Sequence, residues 1–111
     1  MTNQTDNRVT VESITDRIAG IRFTRLSDQT TTICSIMMVN GFVVHGFSNC
    51  VDPANFDANI GEREAYKRAF AQLWDLEGYL MKEKMYQETG EPVQIKTTDQ
   101  IIIDADDQAT H

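Results

Sequence analysis

The pair Asn40-Gly41 stands between two β-prone runs, TTTICSIMMV and FVVHGFS, and constrains this chain more than any other feature. Asn-Gly supplies the two positive φ angles of a type I′ turn, so the sequence predicts a two-residue hairpin. In that register Met38 faces Val43, Ile36 faces His45 and Cys34 faces Phe47, all six on one face of the hairpin. The other face carries Ile33, Met37, Val39, Phe42 and Val44. Both faces are then largely apolar. One is expected to pack on helices, and the other on a third strand layer or a second subunit. Gly46 suits a bulge or close backbone packing.

Helical signals flank the hairpin. Thr10 is a good N-cap, and Val11, Ile14, Ile18 and Ile21 follow at helical spacing, with Gly20 marking the end. Residues 21–26 (IRFTRL) alternate and suggest a short strand. After the hairpin, Asp52 caps a single turn that opens with Pro53. Asn59, with Glu62 three residues on, predicts the start of a long helix reaching Thr89, where Gly90 and Pro92 stop it. Its apolar stripe is Ala65, Ala69, Leu73, Leu76 and Leu80, widened by Tyr66, Phe70, Trp74, Met81 and Met85. Gly78 costs about 1 kcal/mol against Ala in a helix interior, which points to a strand or partner helix packed closely there. VQIK and IIID, after Pro92, read as two short strands.

The expected fold is therefore α+β: a short N-terminal helix and an antiparallel β-hairpin, with a third strand, packed on one long helix. A single domain spans residues 9–90, and the polar segments 1–8 and 104–111 are read as flexible tails. A core this small gains from an oligomer interface, so a homo-oligomer is expected.

The net charge of −7 argues against a nucleic-acid-binding surface, which needs clustered Lys and Arg. The longest unbroken apolar run is four residues, Ile36–Val39, so no membrane span is expected. Cys34 and Cys50 form no CxxC, and His45 and His111 are far apart, so neither a metal site nor a cofactor is expected. A disulfide is disfavoured on the hairpin register, and the absence of a basic-then-apolar leader suggests the cytosol. HExxH, Walker and GxGxxG motifs are missing, and a mid-strand His45 is more often structural than catalytic, so no enzyme is expected.

The corner at Asn55, Phe56 and Asp57 admits two readings. In one, Phe56 staples the corner to the core while Asn55 and Asp57 satisfy turn backbone. In the other it is a ligand corner: an aromatic for stacking, two helix starts aiming N–H groups at one place, and Arg63 or Lys67 one to two turns along. Arg22, Arg25 and Arg68 are further cations available to such a pocket.

NGF at 40–42, CVDPANFD at 50–57, Ile60-Gly61 and LWDLEGYLMK at 73–82 resemble a family of small phage proteins. It is the family of the phage N4 gene-49 and phage Sf6 gene-66 products, and the resemblance covers about residues 30–86. Asp75 stands where that family often has Pro. The resemblance implies a protein made in the host cytoplasm. Through an association with the first-type Thoeris anti-defence proteins, it further implies an oligomeric sponge that withholds a cyclic ADP-ribose or other cyclic nucleotide signal from the host. A phage protein that binds and redirects a host protein is the alternative.

Overall fold

The computed structural model describes residues 7–93. A short helix α1 (Val11–Thr15) leads into strands β1 (Ile18–Arg25), β2 (Thr31–Met38) and β3 (Val43–Asn49). A 3₁₀ turn, Pro53–Asn55, then precedes the long helix α2 (Ala58–Thr89). The strands form one antiparallel sheet in the order β1-β2-β3. The expected α+β class holds, and the third strand is β1, added at the edge of the hairpin rather than in a separate layer.

Thr10 caps α1 with a reciprocal box: its hydroxyl accepts from the Ser13 N–H at 3.0 Å, and its own N–H donates to the Ser13 hydroxyl at 2.9 Å. The helix is one turn shorter than the apolar spacing suggested. Ile18 and Ile21, expected on its face, lie in β1 instead. β-branched residues favour the sheet, and a bulge between Ile18 and Gly20 absorbs the change in direction.

The hairpin turn differs from the two-residue expectation. Met38 N–H donates to the Phe42 carbonyl at 2.8 Å, which leaves a three-residue loop, Val39–Gly41. Only Gly41 is left-handed, at φ 92°, while the Asn40 carboxamide accepts from the Phe42 N–H at 3.0 Å. A three-residue loop with one left-handed Gly replaces the type I′ turn. The register moves by one residue, and a one-residue slip exchanges the faces of the partner strand. Ile36 therefore pairs with Val44, Cys34 with Gly46, and Ser35 with His45. The inner face holds Cys34, Ile36, Met38 and Val44, all buried. His45 lies on the outer face, its Nδ1 2.9 Å from the Ser35 hydroxyl. Cys34 and Cys50 are free thiols, and burial raises the pKa of Cys34.

α2 starts at Asp57, two residues before the expected cap. The Asp57 carboxylate accepts from the N–H groups of Asn59 and Ile60 at 2.9 and 3.2 Å, so Asn59 falls inside the first turn. An acid there also suits the helix dipole. Gly90 ends the helix in the left-handed region at φ 69°. Ala65, Ala69 and Leu73 are fully buried against the sheet, but Leu76 and Leu80 are exposed. The stripe outruns its support: 32 residues of helix extend roughly 48 Å, whereas strands of seven or eight residues extend roughly 25 Å. A Cβ added at Gly78 would have nothing within 4 Å, so no strand among the described residues packs there. VQIK beyond Val93 and IIID lie outside the described residues.

Gly46 sets the distance between β3 and α2. A Cβ added there would overlap the Ala65 carbonyl oxygen and the Ala69 nitrogen, both backbone atoms that cannot swing aside. Gly46→Ala is expected to destabilise the fold by about 3 kcal/mol or more, since overpacking against rigid backbone exceeds the usual core penalty. Urea denaturation would measure this; a loss under about 1 kcal/mol would contradict the close approach. Asp57→Ala should cost about 1 kcal/mol through the lost cap, read in the same experiment.

Candidate functional site

The Phe56 corner is assembled from three parts of the chain. The β1–β2 turn comes first. Its Asp28 carboxylate accepts from Thr30 N–H at 2.9 Å and Thr31 N–H at 3.0 Å, and from the Thr31 hydroxyl at 2.7 Å. Those hydrogen bonds, led by the Thr30 N–H, lower the Asp28 pKa from 3.8 to about 2. The turn also places Gln29 in the left-handed region at φ 64°. The Gln29 carbonyl accepts from the Arg25 guanidinium at 3.0 Å.

That guanidinium lies 3.8 Å above the centre of the Phe56 ring. Arg25 faces the helix side because it stands opposite buried Thr32 in the ladder. The second part is the 3₁₀ turn, whose Asp52 cap accepts from the Ala54 N–H at 3.0 Å and which delivers Phe56 half-buried. The third is the first turn of α2. There Gly61 sits over the ends of β2 and β3, and its carbonyl accepts from the buried Ser48 hydroxyl at 2.7 Å.

Between these parts runs a cleft of about 200 Å³ lined by Thr30, Asn49, Cys50, Asn55, Phe56, Asp57, Ile60, Gly61, Glu64 and Arg68. Asn55, Phe56 and Asp57, consecutive in the chain, all line it. Arg63 and Lys67 are not among the lining residues. Both are exposed on α2, and Lys67 pairs with Glu64 at 3.4 Å. Arg68 is the cation that lines the cleft, and Arg25 covers the Phe56 ring beside it. Arg68 also donates to the Phe47 carbonyl at 2.7 Å.

The helix starts differ from the expectation of several free N–H groups. Asp52 takes the Ala54 N–H, and Asp57 takes those of Asn59 and Ile60. The corner's positive groups are thus side chains rather than helix ends. The alternation of IRFTR could have placed Arg25 here, because Phe23 and Arg25 share a face two residues apart. Arg68 had a signal too, one turn beyond Glu64. Elsewhere, Ser35 and His45 form a close pair, but no carboxylate is hydrogen-bonded to His45 among the described residues. No group of His, Cys, Asp and Glu suited to a metal is found among them either.

Fold and cleft define a small two-layer α+β protein, its short sheet backed by one helix, with a polar cleft that has an Arg-covered aromatic on its wall. The chain belongs to the phage protein family of N4 Gp49 and phage Sf6 gene 66, which it matches over residues 9–85. No curated protein and no solved structure matches it. No helix among the described residues is long and apolar enough to cross a membrane.

Because Asp28 is more acidic folded than unfolded, its contribution to stability is full above about pH 4 and is lost as pH falls towards 2. A carboxyl titration by NMR should place its midpoint near 2, and Asp28→Asn should flatten the dependence of stability on pH between 4 and 2. An Asp28 midpoint near 3.8 would contradict the turn's hydrogen bonding.

Proposed function

We propose that this phage protein is a non-catalytic binding protein that sequesters a nucleotide-derived defence signal of the cyclic ADP-ribose kind in the host cytoplasm. The observation that carries the reading is the Arg25 guanidinium 3.8 Å over the ring of Phe56, which itself lines a cleft with Arg68, Asn49 and Asn55. Two cations, an aromatic and two carboxamides suit a ligand that is planar at one end and anionic at the other. The ligand approaches the exposed side of the corner, where Arg25 exchanges its place over the ring for a phosphate or for a base stacked beside it. A cleft of about 200 Å³ is smaller than most ligand pockets, so it takes a base or a phosphate end rather than a whole cyclic dinucleotide. The acidic neighbours Asp57 and Glu64 restrict where the phosphate sits.

A second reading, capture of a host protein, is favoured by a different feature. An apolar groove of about 350 Å³ runs between the hairpin turn and the distal half of α2, lined by Phe42, Leu73, Leu76, Tyr79 and Leu80 with Glu77 and Glu83 beside them.

Thermal shift of the wild type and of Phe56→Ala, with and without cyclic ADP-ribose isomers and cyclic dinucleotides, tests the first reading. The wild type should be stabilised by one of them. Phe56→Ala and Arg25→Ala should each weaken that ligand about tenfold to a hundredfold, the worth of one stacking or charge-assisted contact. Half-buried Phe56 should cost only about 1–2 kcal/mol of stability when truncated, less than a fully buried aromatic. No shift with any nucleotide, together with no small molecule released on heating protein from defence-active cells, would sink the reading. A single stoichiometric host protein recovered from infected lysate, lost on Tyr79→Asp, would support the alternative.

A further inference from the structure

The two edges of the sheet are treated differently. At β3 the outward carbonyls of His45 and Phe47 are occupied by side chains of α2: the Gln72 carboxamide donates to His45 and the Arg68 guanidinium to Phe47. At β1 nothing comparable is found among the described residues. The ladder fixes which groups point outward. Leu26 N–H donates to Thr31, so Thr24 and Arg22 face β2 in turn, and the backbone N–H and C=O of Ile21, Phe23 and Arg25 face away from the sheet. Every residue from Ala19 to Arg25 is exposed, and the strand contains no Pro. The bulge lies at the Ile18–Gly20 end, which leaves the edge from Ile21 to Arg25 guarded only by Arg22 and Arg25.

The side chains agree with the backbone. Ile21 and Phe23 stand opposite buried Ile36 and Cys34, so they point to the helix side of the sheet, yet they are 46% and 39% exposed. α2 passes over β2 and β3, and of β1 only Ile18 packs against the core beside Tyr66 and Phe70. Among the described residues the helix layer is one element too narrow for the sheet it backs.

We infer that β1 pairs antiparallel with β1 of a second copy across a two-fold axis, joining two three-stranded sheets into one of six strands. A second copy supplies both missing parts at once: a strand for the open edge, and another Ile21–Phe23 pair to cover the first. Charge and aromatic pairing together select the register. With Phe23 opposite Phe23 of the second copy, Arg22 faces Thr24 and Ile21 faces Arg25. Moving the pairing so that Ile21 faces Phe23 would set Arg22 directly against Arg22, which like charges oppose. The selected register joins the outward groups of Ile21, Phe23 and Arg25 in about six backbone hydrogen bonds. It also brings Arg25, and with it the Phe56 corner, to the rim of the interface. The inference stands on the edge and its side chains, and does not rest on the nucleotide reading.

Light scattering of the full chain at about 100 μM should give twice the 12.6 kDa chain mass. Ile21→Lys, a change at an exposed site, should give a folded monomer by circular dichroism. In a Cys50→Ser background, Phe23→Cys should form an intermolecular disulfide under mild oxidation, because directly paired Cα atoms lie about 5.5 Å apart. Arg22→Cys should not, since its own counterpart is then offset beyond the ~7 Å limit. A monomeric wild type overturns the inference. So does a dimer that survives Ile21→Lys, or a disulfide through Arg22→Cys in place of Phe23→Cys. Slow amide exchange at Ile21 and Phe23 in a monomer would likewise overturn it, showing the edge taken by residues 94–111 or another segment.

Discussion

The contact between the Gly46 backbone and the backbone of Ala65 and Ala69 governs the rest of the structure. With no Cβ on the strand and only methyl groups on the helix, β3 and α2 approach more closely than ordinary side chains permit. That approach sets the depth of the core, so Leu73, Ile36 and Ile14 can fill it without a larger side chain on β3 at that point. It also carries the flank of α2 far enough over β3 for Arg68 and Gln72 to reach the edge carbonyls. A helix held a few ångströms higher would leave both edges open.

The same closeness has a cost in width. A helix drawn down over β2 and β3 cannot also cover β1, and only Ile18 at the start of that strand packs on the core with Tyr66 and Phe70. The ion pair of Arg17 with Glu77 at 2.9 Å, partly shielded from solvent, fixes that end of β1 to the helix. Beyond it the inner face of β1 is open as far as Arg25, where the Phe56 corner begins. The tightest packing is thus on the Gly46 side, and exposed apolar side chains lie on the β1 side and along the overhanging half of α2.

The Phe56 corner follows from the same geometry. Gly61 lets the first turn of α2 settle onto the ends of β2 and β3, and Asp57 and Asp52 consume the nearest backbone donors as caps. The charge that remains comes from Arg25, carried in by a strand distant in sequence, and from Arg68, one turn past Glu64. A cleft built this way depends on the registers of β1 and β2 as much as on its own residues.

Element types were legible in the sequence: Thr10, Pro53 and Gly90 marked helix boundaries, and the two runs around Asn40-Gly41 marked the hairpin, because caps and turns are decided by groups a few residues apart. The Asp52 cap of the short turn before Phe56 was legible for the same reason. The tertiary structure alone decided the rest. Whether Asn-Gly closes a two- or three-residue loop depends on which face of β3 the core needs, and Gly46 had to face the helix; one residue of slip then moved His45 to the outer face. Arg25 displaced Arg63 and Lys67 at the corner because position on a helix surface says nothing about which strand lies opposite. Leu76 and Leu80 carried the periodicity of a buried stripe but lay beyond the sheet's end, since period records which side of a helix is apolar and not how far its support extends.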